Sequence, residues 1–310
     1  MTTSANTVGR RVRVIPRLDI KGPNVVKGIC FDGQRALGLP KDFAETYSAA
    51  GADEIILYDT FASLLHRPAG LSVIAEVADR ISVPLTVAGG LRTIDEIRKV
   101  LRAGADKVAI NTAALHDPDL LRQASEVFGT QCIVASVEYH QQFGGRREIR
   151  SEYGREPHPM DAEDWIGSVL EKGVGEIMIT AIDRDGLGLG ADLDFVRRLQ
   201  RYVPVPLIVG GGVGTVEHFV DAAQAGADAV AAASVFHYAQ WAPIDKKYLQ
   251  WDEKSLRIGA PVDAGNIDFL NGGYGGFRDV PVTPCHLSDV KAALSAAGIG
   301  TRLVNSGAAA

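Results

Sequence analysis

The sequence is poor in the features of secreted, membrane and nucleic-acid-binding proteins. Its 310 residues hold 3 cysteines. Cys30, Cys132 and Cys285 are scattered and have no CxxC spacing, which argues against a disulfide framework or a zinc site and fits a reducing cytoplasm. No apolar run approaches the roughly 18 residues of a membrane span. The opening MTTSANTVGRR has no apolar core of a signal peptide, so a cytoplasmic location is expected. A formal net charge of −6 leaves no basic footprint for nucleic acid. Neither a cofactor nor a metal is expected.

What is present is a stretch that occurs twice. Residues 83–112 read VPLTVAGGLRTIDEIRKVLRAGADKVAINT, and residues 205–234 read VPLIVGGGVGTVEHFVDAAQAGADAVAAAS. Gly89-Gly90 falls on Gly211-Gly212 and Gly104-Ala105-Asp106 on Gly226-Ala227-Asp228, an offset of 122 in each case (211−89, 226−104). Each copy reads as strand, Gly loop, helix, Gly-Ala-Asp turn, strand. Apolar strands from VRVIPRL (12–18) to the end of the second copy alternate with helical patterns, giving eight strands and seven clear helices. The expected fold is α/β: a (β/α)8 TIM barrel with a two-fold internal half-barrel repeat, favoured by that repeat over an open doubly-wound sheet. A single barrel is expected over 11–303, between a disordered arm (1–10) and a disordered tail (304–310). The polar segment 20–40 reads as a long loop, 139–160 as a hairpin, and 241–285 as an insertion after strand eight.

Barrel enzymes place their chemistry at the C-terminal strand ends. Two phosphate cradles are expected there. One is Gly89-Gly90 with Asn111-Thr112, the other Gly211-Gly212 with Ala233-Ser234 and Asp185-Gly186. Glycines admit backbone N–H groups to an anion, and helix N-termini favour negative charge. Two cradles on one barrel suit a ligand with a phosphate at each end. Asp19 and Glu138 close strands one and five, which face each other in an eight-stranded barrel, so they are the candidate acid–base pair. Lys27, in the loop after strand one, is a candidate for bringing positive charge over the substrate. At the other end, Arg13, Glu54, Lys107 and Glu176 start strands one, two, four and six. They read either as solvated caps or as a ring of salt bridges.

Together these residues resemble the HisF family, the cyclase subunit of imidazole glycerol phosphate synthase. The matching motifs are RLDIKGPNVVKG (17–28), GADEIILYD (51–59), VAGGLRTIDE (87–96), GADKVAINTAAL (104–115), GVGEIMITAIDRDG (173–186), GGGVGTVEHF (210–219) and AASVFH (232–237). The resemblance implies a lyase of histidine biosynthesis with a HisH-type glutaminase subunit docked on the N-terminal face of the barrel. Ammonia from that partner would pass through the barrel to a bisphosphorylated aminoimidazole–ribulose substrate. It implies that Asp19 is a catalytic aspartate, that the cradles hold the substrate phosphates, and that Arg13, Glu54, Lys107 and Glu176 form the ammonia gate. It also places Asp106 at the glutaminase contact. None of the three cysteines lies in a Gly-x-Cys-x-Gly turn, so ammonia must come from a partner or from solution.

The chain departs from the family pattern in four places. Glu138 stands where an aspartate is usual. Leu39, Leu187 and Gly210 replace the usual aspartate, threonine and serine. With the 241–285 insertion, these departures leave a second reading, a HisF-like paralogue delivering ammonia to a different substrate in a surface-sugar or natural-product pathway. The sister isomerase barrel shares the repeat and the paired carboxylates but has no use for an ammonia gate. A reading of another class is a non-catalytic barrel that binds phosphate ligands.

Overall fold

The computed structural model describes residues 11–63, 65, 67–241 and 281–302. The expectations for 1–10 and 304–310, and most of those for 241–285, lie outside the described residues. Twelve strands form one sheet: β1 (Arg13–Lys21), β2 (Asn24–Ile29), β3 (Asp32–Gly38), β4 (Ile55–Asp59), β5 (Leu85–Ala88), β6 (Lys107–Ile110), β7 (Ile133–Gln141), β8 (Arg147–Ser151), β9 (Glu156–Asp161), β10 (Glu176–Ala181), β11 (Leu207–Gly210) and β12 (Ala229–Ala232). Eight of them, β1-β4-β5-β6-β7-β10-β11-β12, pair in parallel, and β12 pairs with β1 to close the barrel. The helices are α1 (Pro40–Ala49), α2 (Leu71–Ala78), α3 (Ile94–Arg102), α4 (Thr112–His116), α5 (Asp119–Phe128), α6 (Ala162–Leu170), α7 (Leu193–Leu199), α8 (Val216–Ala225), α9 (Ser234–Trp241) and α10 (Leu287–Ala296).

Because side chains alternate along a strand, each barrel strand serves two cores. Val14, Leu18, Leu57, Ile177 and Val209 pack outward with helix residues such as Phe43, Ile97, Phe195 and Phe219. Ile15, Ile56, Val134, Met178 and Ile208 form a separate cluster inside the barrel.

The Gly-Ala-Asp turn shows how the repeat builds the wall. Gly104 and Gly226 leave their helices in the left-handed region, with φ of 113° and 124°. The following alanines are buried. Asp106 then clamps the neighbouring strand: its N–H donates to Leu85 O, and its carboxylate accepts from Leu85 N at 2.8 Å. Asp228 repeats both bonds with Leu207, the second at 2.9 Å. Gly51-Ala52-Asp53 is a third use of the device, with Val14 N donating to Asp53 at 2.8 Å.

Two expectations are corrected. Segment 20–40 is not a long loop but the hairpin β2–β3, laid antiparallel on β1 through Ile20 and Val25. Its glycines hide buried Val25, Val26, Ala36 and Leu37, and its reversal falls on Cys30-Phe31, both left-handed with φ of 49° and 65°. Strand five does not stop at Glu138 but continues as β7 to Gln141, where the expected hairpin to β8 begins and a third strand, β9, is added.

Candidate active site

β1 and β7 lie four places apart in the ring of eight, so Asp19 and Glu138 stand on opposed walls. Both are buried, at 2% and 1% exposure. Asp19 accepts from Arg17 Nε at 2.7 Å. Burial pushes its pKa up, against the pull of Arg17 and Lys27. Glu138 accepts a short hydrogen bond from Tyr58 Oη. Burial raises its pKa to about 7, with the Asp19 charge adding to the rise while the Tyr58 bond and Arg17 oppose it. Near neutrality one of the two carboxyls is therefore poised to give or take a proton.

The cradles are built alike. Gly89 follows β5 with φ of 95°, and a Cβ there would lie 2.2 Å from the Asp59 carbonyl oxygen of the adjacent strand. Gly211 follows β11 with φ of 87°, and a Cβ would lie 2.4 Å from Ala181 O. Asp59 and Ala181 are themselves 122 apart (181−59), so the repeat reproduces the close approach as well as the glycine. Any side chain at either position would clash with fixed backbone. Each cradle opens on a small cavity. The first is lined by Gly89, Gly90, Asn111, Thr112, Ser136 and Tyr58 among others. The second is lined by Gly186, Gly211, Gly212, Ala233 and Ser234, together with Asp185 and Arg17. Every cradle residue expected from the sequence is thus brought to one of the two cavities, with α4 beginning at the first and α9 at the second.

Lys27 is not in a mobile loop. It lies on β2 at 2% exposure, with Nζ bonded to Gly28 O at 2.6 Å and to Asp185 at 3.1 Å. Above it the hairpin turn meets a second turn from β8–β9. Phe31 and Tyr153 stack with centroids 4.3 Å apart and planes 9° apart. Tyr153 Oη also accepts from Gln34 at 3.1 Å. The turns of both hairpins hold non-glycine residues at positive φ, Cys30 and Phe31 in one, Glu152 and Tyr153 in the other. The stack links the extensions of the two strands that carry the carboxylates.

At the opposite end, the four charges at the strand starts form a ring. Arg13 bonds Glu54 at 2.5 Å and Glu176 at 3.1 Å, and Lys107 bonds each of the same two acids at 2.9 Å. Thr86 completes the shell of Glu54 at 2.5 Å. Of the two arrangements open from spacing, solvated caps or a ring, the structure has the ring.

A model of the histidine biosynthesis protein family matches residues 13–242. The chain belongs to that family. Its relatives include the HisF subunit of imidazole glycerol phosphate synthase from Gluconacetobacter diazotrophicus, 47% identical over 231 residues, covering 74% of this chain and 90% of the relative. The corresponding subunit of Nocardia farcinica is 46% identical over 233 residues (73% and 91%), and that of Streptomyces coelicolor 44% over 227 residues (73% and 90%). The (β/α)8 barrel expected of HisF is the fold observed.

Within this HisF-type barrel, four residues near the carboxylates escaped the sequence reading: Arg17, Phe31, Tyr58 and Tyr153. Arg17 and Tyr58 had a usable signal. Arg13, Ile15, Arg17 and Asp19 follow period two and share the inner face of β1, as Glu54, Ile56 and Tyr58 do on β4. Phe31 and Tyr153 had none, because their contact joins turns distant in sequence.

Proposed function

We propose that this chain is the cyclase subunit of imidazole glycerol phosphate synthase, of HisF type. It uses ammonia to cleave and cyclise a bisphosphorylated aminoimidazole–ribulose substrate, giving imidazole glycerol phosphate and an aminoimidazole carboxamide ribotide. The observation that carries the reading is the pair of matched cavities with buried Asp19 and Glu138 between them. A substrate with a phosphate at each end fits that spacing of two anchors around one reacting centre. Addition of ammonia to a ketone requires a proton delivered to oxygen and one removed from nitrogen. The ketone oxygen leaves as water, and departure of the ribotide's ring amino nitrogen, which frees the aminoimidazole carboxamide ribotide, requires another proton. Asp19 and Glu138 serve these transfers, with Tyr58 orienting Glu138 and Arg17 orienting Asp19. The cradle backbone N–H groups hold the phosphates, and Lys27 holds Asp185 beside the second.

Ammonia enters from the far end, where Arg13, Glu54, Lys107 and Glu176 act as its gate. A HisH-type glutaminase docks on that N-terminal face, and the exposed Asp106 lies at the same end. The complex works in the cytoplasm. No helix among the described residues is long and apolar enough to cross a membrane.

The test is turnover of the bisphosphorylated substrate by the purified chain with ammonium salt at alkaline pH. Formation of both products is expected. Tight binding without turnover would replace this reading with a paralogue that carries ammonia to another phosphorylated substrate.

A further inference from the structure

The two cavities are alike in size but not in charge. None of the described residues lining the first carries a charge. The second is lined by Arg17 and Asp185, and Asp185 is engaged by Lys27 at 3.1 Å. Arg17 is therefore the cation whose donors are left for a ligand. It is only 4% exposed. Its Nε is committed to Asp19. Its guanidinium carbon lies 4.8 Å from the Tyr58 ring centroid and 5.4 Å from that of Phe31, so aromatic rings cover it. Its Nη2 is buried and has no hydrogen-bond partner.

A buried cationic donor without an acceptor is costly, and native structures rarely keep one without a use. A guanidinium presents its donors in a fixed fork that matches phosphate oxygens. We infer that Arg17 is a specificity-determining residue that reaches from β1 into the second cradle and binds the anion held by Gly211, Gly212 and Ser234. The inference rests on the reading of that cradle as a phosphate site. It makes the second cradle the tighter anchor, while the first depends on neutral donors alone.

The experiment titrates inorganic phosphate into the full chain and follows the backbone amide resonances of Gly89 and Gly90 against those of Gly211 and Gly212. It needs no substrate and no turnover, so its outcome is separable from that of the proposed reaction. In the wild type the second pair should respond at lower phosphate. Arg17→Gln should weaken the response at Gly211 and Gly212 on the order of tenfold, the loss of one charged hydrogen bond, and leave Gly89 and Gly90 unchanged. Arg17→Lys keeps the charge without the fork and should fall between. It is also the variant to read if Arg17→Gln does not fold. Equal affinities at the two cradles in the wild type would overturn the assignment. So would an equal loss at both cradles, or no loss at the second.

Discussion

The two half-barrels share their scaffold and differ around the two proposed phosphate cradles. The Asp106 and Asp228 clamps are superposable in kind: both accept from a strand N–H, at 2.8 and 2.9 Å. Gly89 and Gly211 are equally hemmed in by a neighbouring carbonyl. Divergence starts one turn later. In the first copy Thr93 and Glu96 close a capping box at the start of α3. In the second, His218 stands at the position of Glu96, no side-chain bond caps α8, and His218 accepts from Gly214 N at 3.2 Å instead. Where the chain is described again after 280, Thr283 N donates to Gly214 O at 2.8 Å, so the returning segment lies against the second cradle. Against the first cradle lies the β8–β9 turn instead, with Asn111 donating to Arg150 O and Glu152 N donating to Thr112 Oγ1, both at 3.0 Å, and none of its described lining residues is charged. A duplicated frame thus keeps what closes a barrel and varies what lines the proposed substrate site.

Substitutions can break or sharpen this comparison. The largest effect is expected at the centre common to both halves. Asp19→Asn should lower kcat by roughly 10²–10⁴-fold, the usual worth of general acid–base catalysis. Phosphate titration should still find both cradles occupied; an active variant would remove the carboxylate pair from the chemistry.

Next comes Glu138. Its folded pKa of about 7 lies above the ordinary 4.5. Between those values the unfolded chain has released a proton that the folded chain still holds. Wild-type stability should therefore fall as pH rises through this window and level off above it. The accumulated loss is roughly 3 kcal/mol at about 1.4 kcal/mol per unit. Glu138→Gln should lack the fall, so denaturant unfolding should find it closest to wild type near pH 4.5 and relatively more stable at pH 8. Parallel pH profiles would count against a buried, largely neutral Glu138.

Replacing Gly89 or Gly211 by alanine should cost roughly 2 kcal/mol or more each, because strain at positive φ is added to a clash with backbone. Substrate KM should rise in both variants. A variant with unchanged stability would show that the carbonyl approach is looser than described.

The smallest effect serves as the control. Asp106→Asn and Asp228→Asn should each lose about 1–2 kcal/mol, and by equal amounts, since each weakens one charge-assisted bond to a strand N–H. Unequal losses would mean that the scaffold itself is not symmetric.

The barrel was legible because the repeat spells out strand, Gly loop, helix and Gly-Ala-Asp turn twice, and each of these signals is local. Asp19 and Glu138 were legible as carboxylates toward the C-terminal ends of opposed strands, although those strands run on to Lys21 and Gln141. The hairpin β2–β3 was not, because four glycines in 20–40 suggested a loop while the pairing that orders it is with β1. The Phe31–Tyr153 stack and the Tyr58–Glu138 bond join segments about 120 and 80 residues apart, and nothing local in sequence encodes such contacts. Arg17 lies within the motif RLDIKGPNVVKG (17–28), yet its role depends on which of its donors Asp19 leaves unused. That is a fact of packing.

The central claim is that one substrate bridges the two cradles across Asp19 and Glu138. The most direct measurement follows the amides of Gly89, Gly90, Gly211 and Gly212 while the bisphosphorylated aminoimidazole–ribulose substrate is added without ammonia. All four should move together along one binding curve, with one ligand per chain. Saturation of one glycine pair without the other, or two ligands per chain, would contradict the account.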